Sequence, residues 1–150
     1  MTERYLEDLK VGDRFQSAPY TVTEEAIIRF ATEFDPQPFH LDADVARKSL
    51  FKGLSASGWH TAAIAMRLYV TCGINFAGGS IGMGVDEMRW PTPVRPGDIL
   101  TAEIEILDAR ASRSKPEHGI VQIRNVMTNQ RGEVVLTWKA SALVRRRMRG

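Results

Sequence analysis

The sequence contains one cysteine, three histidines and no apolar run long enough to cross a bilayer. A single thiol, Cys72, cannot form an internal disulfide, so a small fold stapled by cystines is excluded. A spanning helix needs roughly 20 successive apolar residues, and charged or turn residues interrupt every run here first. The basic start and apolar core of a secretory leader are also missing, which predicts a soluble protein of the reducing cytoplasm with no membrane partner. No glycine-rich phosphate loop of the P-loop or dinucleotide type occurs. His40, His60 and His118, with Cys72, have no ligand spacing that suits an ion, so neither a metal nor a resident cofactor is expected.

A strong charge of either sign is lacking as well. The formal charge is +2, but Arg145, Arg146, Arg147 and Arg149 lie among the last six residues, leaving 16 cations to face 18 acids elsewhere. The body is therefore slightly acidic, and the basic end reads as a solvated terminus rather than a nucleic-acid site. At 150 residues, 43% hydrophobic and 25% charged, the chain has the size and composition of one globular domain spanning 1–150.

Residues 9–15 read as a turn around Gly12-Asp13, leading into a strand that ends near Val22. Thr23 suits a helix cap, Glu24 and Glu25 favour the helix dipole, and Ile27, Ile28, Phe30 and Ala31 share one face. Pro36 disfavours helical geometry at Asp35, so the helix should stop near Phe34. A short helix is expected over residues 42–50. From Gly58 to Val70 only Arg67 is charged, which predicts a helix enclosed on most sides and ended by Gly73.

Strands follow at 81–90, 99–107, 120–128 and 134–144, punctuated by Pro96-Gly97-Asp98 and by Asn129-Gln130-Arg131-Gly132. One early strand, then helices, then four closely spaced strands predict an α+β fold with an antiparallel sheet around the long apolar helix. Open sheet edges in such a layer favour pairing with a second copy, so a homodimer is expected.

The densest chemical cluster is Phe34-Asp35-Pro36-Gln37-Pro38-Phe39-His40-Leu41-Asp42. Two prolines stiffen the backbone between a carboxylate and an imidazole, which limits the entropy lost in aiming both at one space. Such a pair can take a proton from water and return one, which is general acid–base chemistry without a metal. On spacing alone, a turn-capping Asp35 and a packed His40 fit the pattern equally well.

The run resembles the motif of MaoC-like dehydratases and (R)-specific enoyl-CoA hydratases: Asp, any residue, Asn, Pro, any residue, His, any residue, Asp. Asp35, Pro38, His40 and Asp42 match in register, and Gln37 stands where the family usually has Asn. The similarity extends from Leu9-x-x-Gly12-Asp13 through Ser57-Gly58-Trp59-His60-Thr61 to Arg89-Trp90-Pro91-x-Pro93-Val94-x-x-Gly97-Asp98. It implies a single hot-dog domain whose sheet wraps a long central helix. It further implies reversible hydration of a trans-2-enoyl thioester of fatty acid metabolism, with coenzyme A carried as part of the substrate.

By the same resemblance Asp35 and His40 are the catalytic pair, and the Gly58 N–H polarises the thioester carbonyl. Helix N-termini present unpaired N–H groups at the positive end of the dipole, which suits that role. Glycine chosen for close packing is the structural alternative at Gly58. A serine that some of these hydratases carry along the central helix has no counterpart here, where Met66 stands near that point. His60 is expected to be a buried structural histidine. Trp59, Tyr69, Phe76 and Trp90 are read as core rather than as an acyl tunnel. Thioester hydrolysis on the same fold, or acyl-CoA binding without turnover, are the competing activities.

Overall fold

The computed structural model describes residues 2–148. A turn of 3₁₀-helix at Leu6–Asp8 precedes β1 (Arg14–Gln16) and β2 (Tyr20–Thr21), then α1 (Glu24–Phe34), α2 (Pro38–Leu41), α3 (Ala43–Arg47) and α4 (Gly58–Val70). Four long strands follow: β3 (Ile81–Arg89), β4 (Ile99–Ala111), β5 (His118–Thr128) and β6 (Val134–Arg145). Among the described residues they form one antiparallel sheet in the order β1-β4-β5-β6-β3, with β2 also pairing to β4.

Strict alternation in β5 sends Val121, Ile123 and Met127 inward, where Ile104 and Ile106 of β4 and Leu136 and Trp138 of β6 join them. Against this face α4 lays Thr61, Ala62, Ile64, Ala65, Leu68 and Tyr69. Its limits coincide with those expected: Ser57 caps the start by accepting the Trp59 N–H at 3.3 Å, and the helix closes at Thr71, ahead of Gly73 with φ +95°. Enclosure is less complete than the composition implied. Trp59, Met66 and Val70 leave an apolar stripe open, and Ile81, Met83 and Val85 of the edge strand β3 are also exposed.

Several boundaries differ for identifiable reasons. The first strand is broken at Ser17-Ala18-Pro19, because Pro19 has no N–H for the ladder, while Ser17 satisfies Ala102 through both its main chain and its hydroxyl. The loop expected between Asp35 and His40 closes into the one-turn helix α2, with Pro38 at its first position, where a missing N–H costs nothing. Asp42 caps α3 through the Asp44 and Val45 N–H groups, and that helix ends at Arg47 rather than at residue 50.

The basic terminus is not a free solvated end. Arg146 pairs with Glu7 at 3.1 Å, and Arg147 reaches Asp8 and lies over the Tyr5 ring, so the tail fastens β6 to the N-terminal turn. Arg149 lies outside the described residues.

Candidate active site

The end of α1 and the start of α4 meet beside α2. Asp35 is the C-cap of α1, with backbone angles outside the helical region, as the following proline requires. Its Oδ2 accepts the Ser57 hydroxyl at 2.7 Å and its Oδ1 accepts the Gln37 amide at 2.6 Å. Partial burial pushes the carboxyl up, but the hydrogen bonds from Ser57 and Gln37, with the charge of the His40 ring when it is protonated, outweigh it and hold Asp35 below its ordinary value. It is a carboxylate at neutral pH.

His40 is 4% exposed on α2. Its Nδ1 lies 2.6 Å from the Ser55 carbonyl oxygen, which can only accept, so Nδ1 carries a proton. In the neutral ring Nε2 is therefore the lone-pair nitrogen, and it faces Asp35 Oδ2 at 3.4 Å. Two acceptors held this far apart do not bond to each other. They suit one water that donates an O–H to each from the cavity side.

That cavity, about 330 Å³, is lined by Asp35, His40 and Gly58, with Phe51, Trp59 and Trp90 among its walls. Gly58 is the first residue of α4, and the Ser57 cap serves Trp59 rather than the Gly58 N–H. Absence of a side chain at Gly58 is required here. A Cβ would come within 2.8 Å of the Trp90 indole, whose Nε1–H donates to the Gly58 carbonyl at 2.9 Å. Close packing and an available helix-terminal N–H thus coincide at one residue.

The three residues singled out in the sequence, Asp35, His40 and Gly58, share one cavity. Thr61 lines it and His60 does not: that ring is 7% exposed, stacked on Phe30 at 4.8 Å, with no partner for Nδ1 among the described residues. Trp59 and Trp90 are cavity walls rather than plain core, whereas Tyr69 and Phe76 line a separate cleft with Ser80. Met66 is not in the cavity lining and is 45% exposed. Missed from the sequence were Ser57, which holds Asp35, and Ser55, whose carbonyl holds His40. A serine before a helix-opening glycine signals a cap. A carbonyl partner carries no residue-type signal.

The model of the MaoC like domain matches residues 9–129. A crystal structure of the MaoC-like dehydratase from Rhodospirillum rubrum is 55% identical over 97% of this chain and 99% of that one, with a TM-score of 0.92. Bacillus subtilis YdeM, described as uncharacterized, is 35% identical over 94% of this chain and 99% of its own. The (R)-specific enoyl-CoA hydratase of Rhodospirillum rubrum is 29% identical over 93% of this chain and 91% of its own. The chain belongs to the MaoC-like domain family, and its sheet and central helix are those of a hot-dog fold.

Proposed function

We propose that this protein is a hydratase that adds water reversibly to a trans-2-enoyl thioester, with coenzyme A as the thiol, giving a 3-hydroxyacyl thioester. The observation that carries the reading is one cavity lined by the Asp35 carboxylate, by His40 with its Nδ1 committed to a backbone carbonyl, and by Gly58, the first residue of α4. The likeness to a hydratase over most of both chains supports it.

In this account one water donates its hydrogens to Asp35 Oδ2 and His40 Nε2 while its oxygen faces the β-carbon. As the C–O bond forms, the pair takes the water proton, and the π electrons of the double bond move through the α-carbon to the thioester oxygen. The Gly58 N–H and the dipole of α4 stabilise that enolate charge. The pair then returns a proton to the α-carbon, so the atoms of water are added and the site is restored. Nothing is oxidised or reduced, and no metal or bound cofactor enters the chemistry. Gln37 acts on Asp35 directly through its amide.

The test is a series of enoyl-CoAs from crotonyl-CoA upward, followed by loss of the conjugated-enoyl absorbance and by thiol release. The proposal expects 3-hydroxyacyl-CoA with the thioester intact. Free thiol appearing faster than hydrated product would replace it with hydrolysis, and binding without turnover across the series would leave a non-catalytic acyl-CoA module.

The homodimer is part of the same proposal, with the exposed apolar residues of β3 and α4 as its contact surface. Light scattering at micromolar concentration is expected to give twice the chain mass. A fully active monomer would remove this part.

A further inference from the structure

We infer that Arg95, outside the cavity, is a positioning residue that fixes the tautomer and orientation of His40 by bracing the loop that carries Ser55; the inference rests on the hydratase reading for its kinetic consequence only. Arg95 opens the turn Arg95-Pro96-Gly97-Asp98. There the Asp98 N–H donates to the Arg95 carbonyl at 3.1 Å, Gly97 takes φ +85°, and the Asp98 carboxylate accepts the Arg95 N–H at 2.9 Å. Both main-chain groups of Arg95 are thereby fixed, and the side chain leaves from a rigid base. A second bond, from Gln130 to Asp98 Oδ1 at 2.9 Å, ties this base to the β5–β6 turn.

From that base the guanidinium reaches back about forty residues in sequence. Its Nη1 donates to the Gly53 carbonyl and to Ser55 Oγ, each at 2.9 Å, and its Nη2 donates to the Phe51 carbonyl. With the Leu54 carbonyl at 3.4 Å from Nη1, one planar fork therefore meets four acceptors within five residues, which an ammonium cannot do from one position. The loop needs such a clamp. Lys52 sits at φ +57°, a conformation that costs a residue with a side chain and persists where its surroundings impose it. Gly53 lets the guanidinium approach, since a Cβ there would stand 3.2 Å from Nη1.

The same loop presents the Ser55 carbonyl to His40 Nδ1 at 2.6 Å, and Phe51 packs its ring 5.8 Å from the imidazole. The charged groups around His40 are thus Asp35 on its Nε2 side and, behind Ser55, Arg95. With the brace removed, the Ser55 peptide keeps only its main-chain bonds, from the Ala56 N–H to the Val94 carbonyl at 2.9 Å and from the Ser55 N–H to the Phe39 carbonyl at 3.4 Å; the loop before it loses its clamp, the carbonyl is held less closely on Nδ1–H, and Nε2 is less firmly kept as the free lone pair.

The experiment is ¹⁵N NMR of the His40 ring, with parallel kinetics, in the full-length protein carrying Arg95→Met or Arg95→Lys. Ring nitrogen shifts are expected to show a single neutral tautomer protonated at Nδ1 in the parent and a mixture in both variants. Misplacing a reacting group by an ångström costs up to about a hundredfold, so kcat should fall about ten- to a hundredfold in Arg95→Met, with KM within about twofold. Arg95→Lys keeps the charge and the aliphatic stem, and so tests the fork even if the Met variant fails to fold; its loss in kcat is expected to be severalfold. A single Nδ1–H tautomer in Arg95→Lys together with the parental rate would overturn the inference. The tautomer measurement does not depend on the reaction catalysed, so an inactive parent protein with an Arg95-dependent tautomer would retire the hydratase reading and keep this one.

Discussion

Two histidines lie equally deep in this protein and are prepared for different tasks. His40, 4% exposed, has one nitrogen committed to a backbone carbonyl and the other turned to a carboxylate across a cavity. His60, 7% exposed, lies on α4 against Phe30, with Nδ1 unsatisfied and no share in the cavity. Burial alone therefore says nothing about function. The difference lies in what is arranged around each ring: a commitment that leaves one nitrogen outward and reactive, or a stack that only excludes water. Burial, and then the Arg29 charge, hold His60 below its ordinary 6.5, as expected of a ring packed in neutral form.

The sharpest way to break this contrast is to remove the groups on the reactive side. Asp35→Asn and His40→Ala are each expected to lower kcat by at least about a hundredfold, the lower end of general acid–base contributions, with the circular dichroism of a folded domain retained. Small losses from both would place His40 in the same structural class as His60.

A second large effect is expected at Gly58. Proline is tolerated at the first position of a helix, so Gly58→Pro deletes the N–H without breaking α4, but its Cβ meets Trp90. Gly58→Ala makes the same contact and keeps the donor. The ratio of the two rates isolates the N–H, and a further loss of about 10²–10³-fold in the proline variant is expected. Equal rates would make Gly58 a packing residue only.

The smallest kinetic effect is expected on the structural side. His60→Phe should leave kcat within about twofold, because even modest acid–base participation begins near a hundredfold. It should instead change stability with pH. Since the folded ring binds its proton less readily than the unfolded one, the parent protein loses stability as pH falls from about 6.5 toward the depressed folded value, and this group adds no pH dependence well above 6.5. Melting temperatures measured from about pH 7.5 down to pH 5 should show that decline in the parent and a flatter curve in His60→Phe. The same slope in both would assign the acid loss to another group.

Much of this arrangement could be read in advance from residues whose patterns repeat. The apolar run set both ends of α4, and the turn residues Asn129-Gln130-Arg131-Gly132 separated β5 from β6. β4 extends to Ala111, past the expected Leu107, because Asp108 and Arg110 end the apolar alternation while the ladder to β5 continues to Ala111 opposite Gly119. Asp35, His40 and Gly58 were legible because residue type and spacing both point to them. The clamp behind them was not. It runs from a guanidinium to carbonyls some forty residues earlier, and main-chain acceptors look alike in every sequence. Gln37 was legible as an amide in the loop, but neither its bond to Asp35 nor the one-turn helix α2 that it precedes was, because the two prolines read as a loop.

The central claim, that Asp35 and His40 act as one unit on one water, is tested most directly by a double-mutant cycle on enoyl-CoA hydration. If the pair shares that water, either substitution alone removes most of the rate, and Asp35→Asn combined with His40→Ala is scarcely slower than the worse single variant. Two losses that multiply in the double variant would mean that the residues act separately, and would contradict the account.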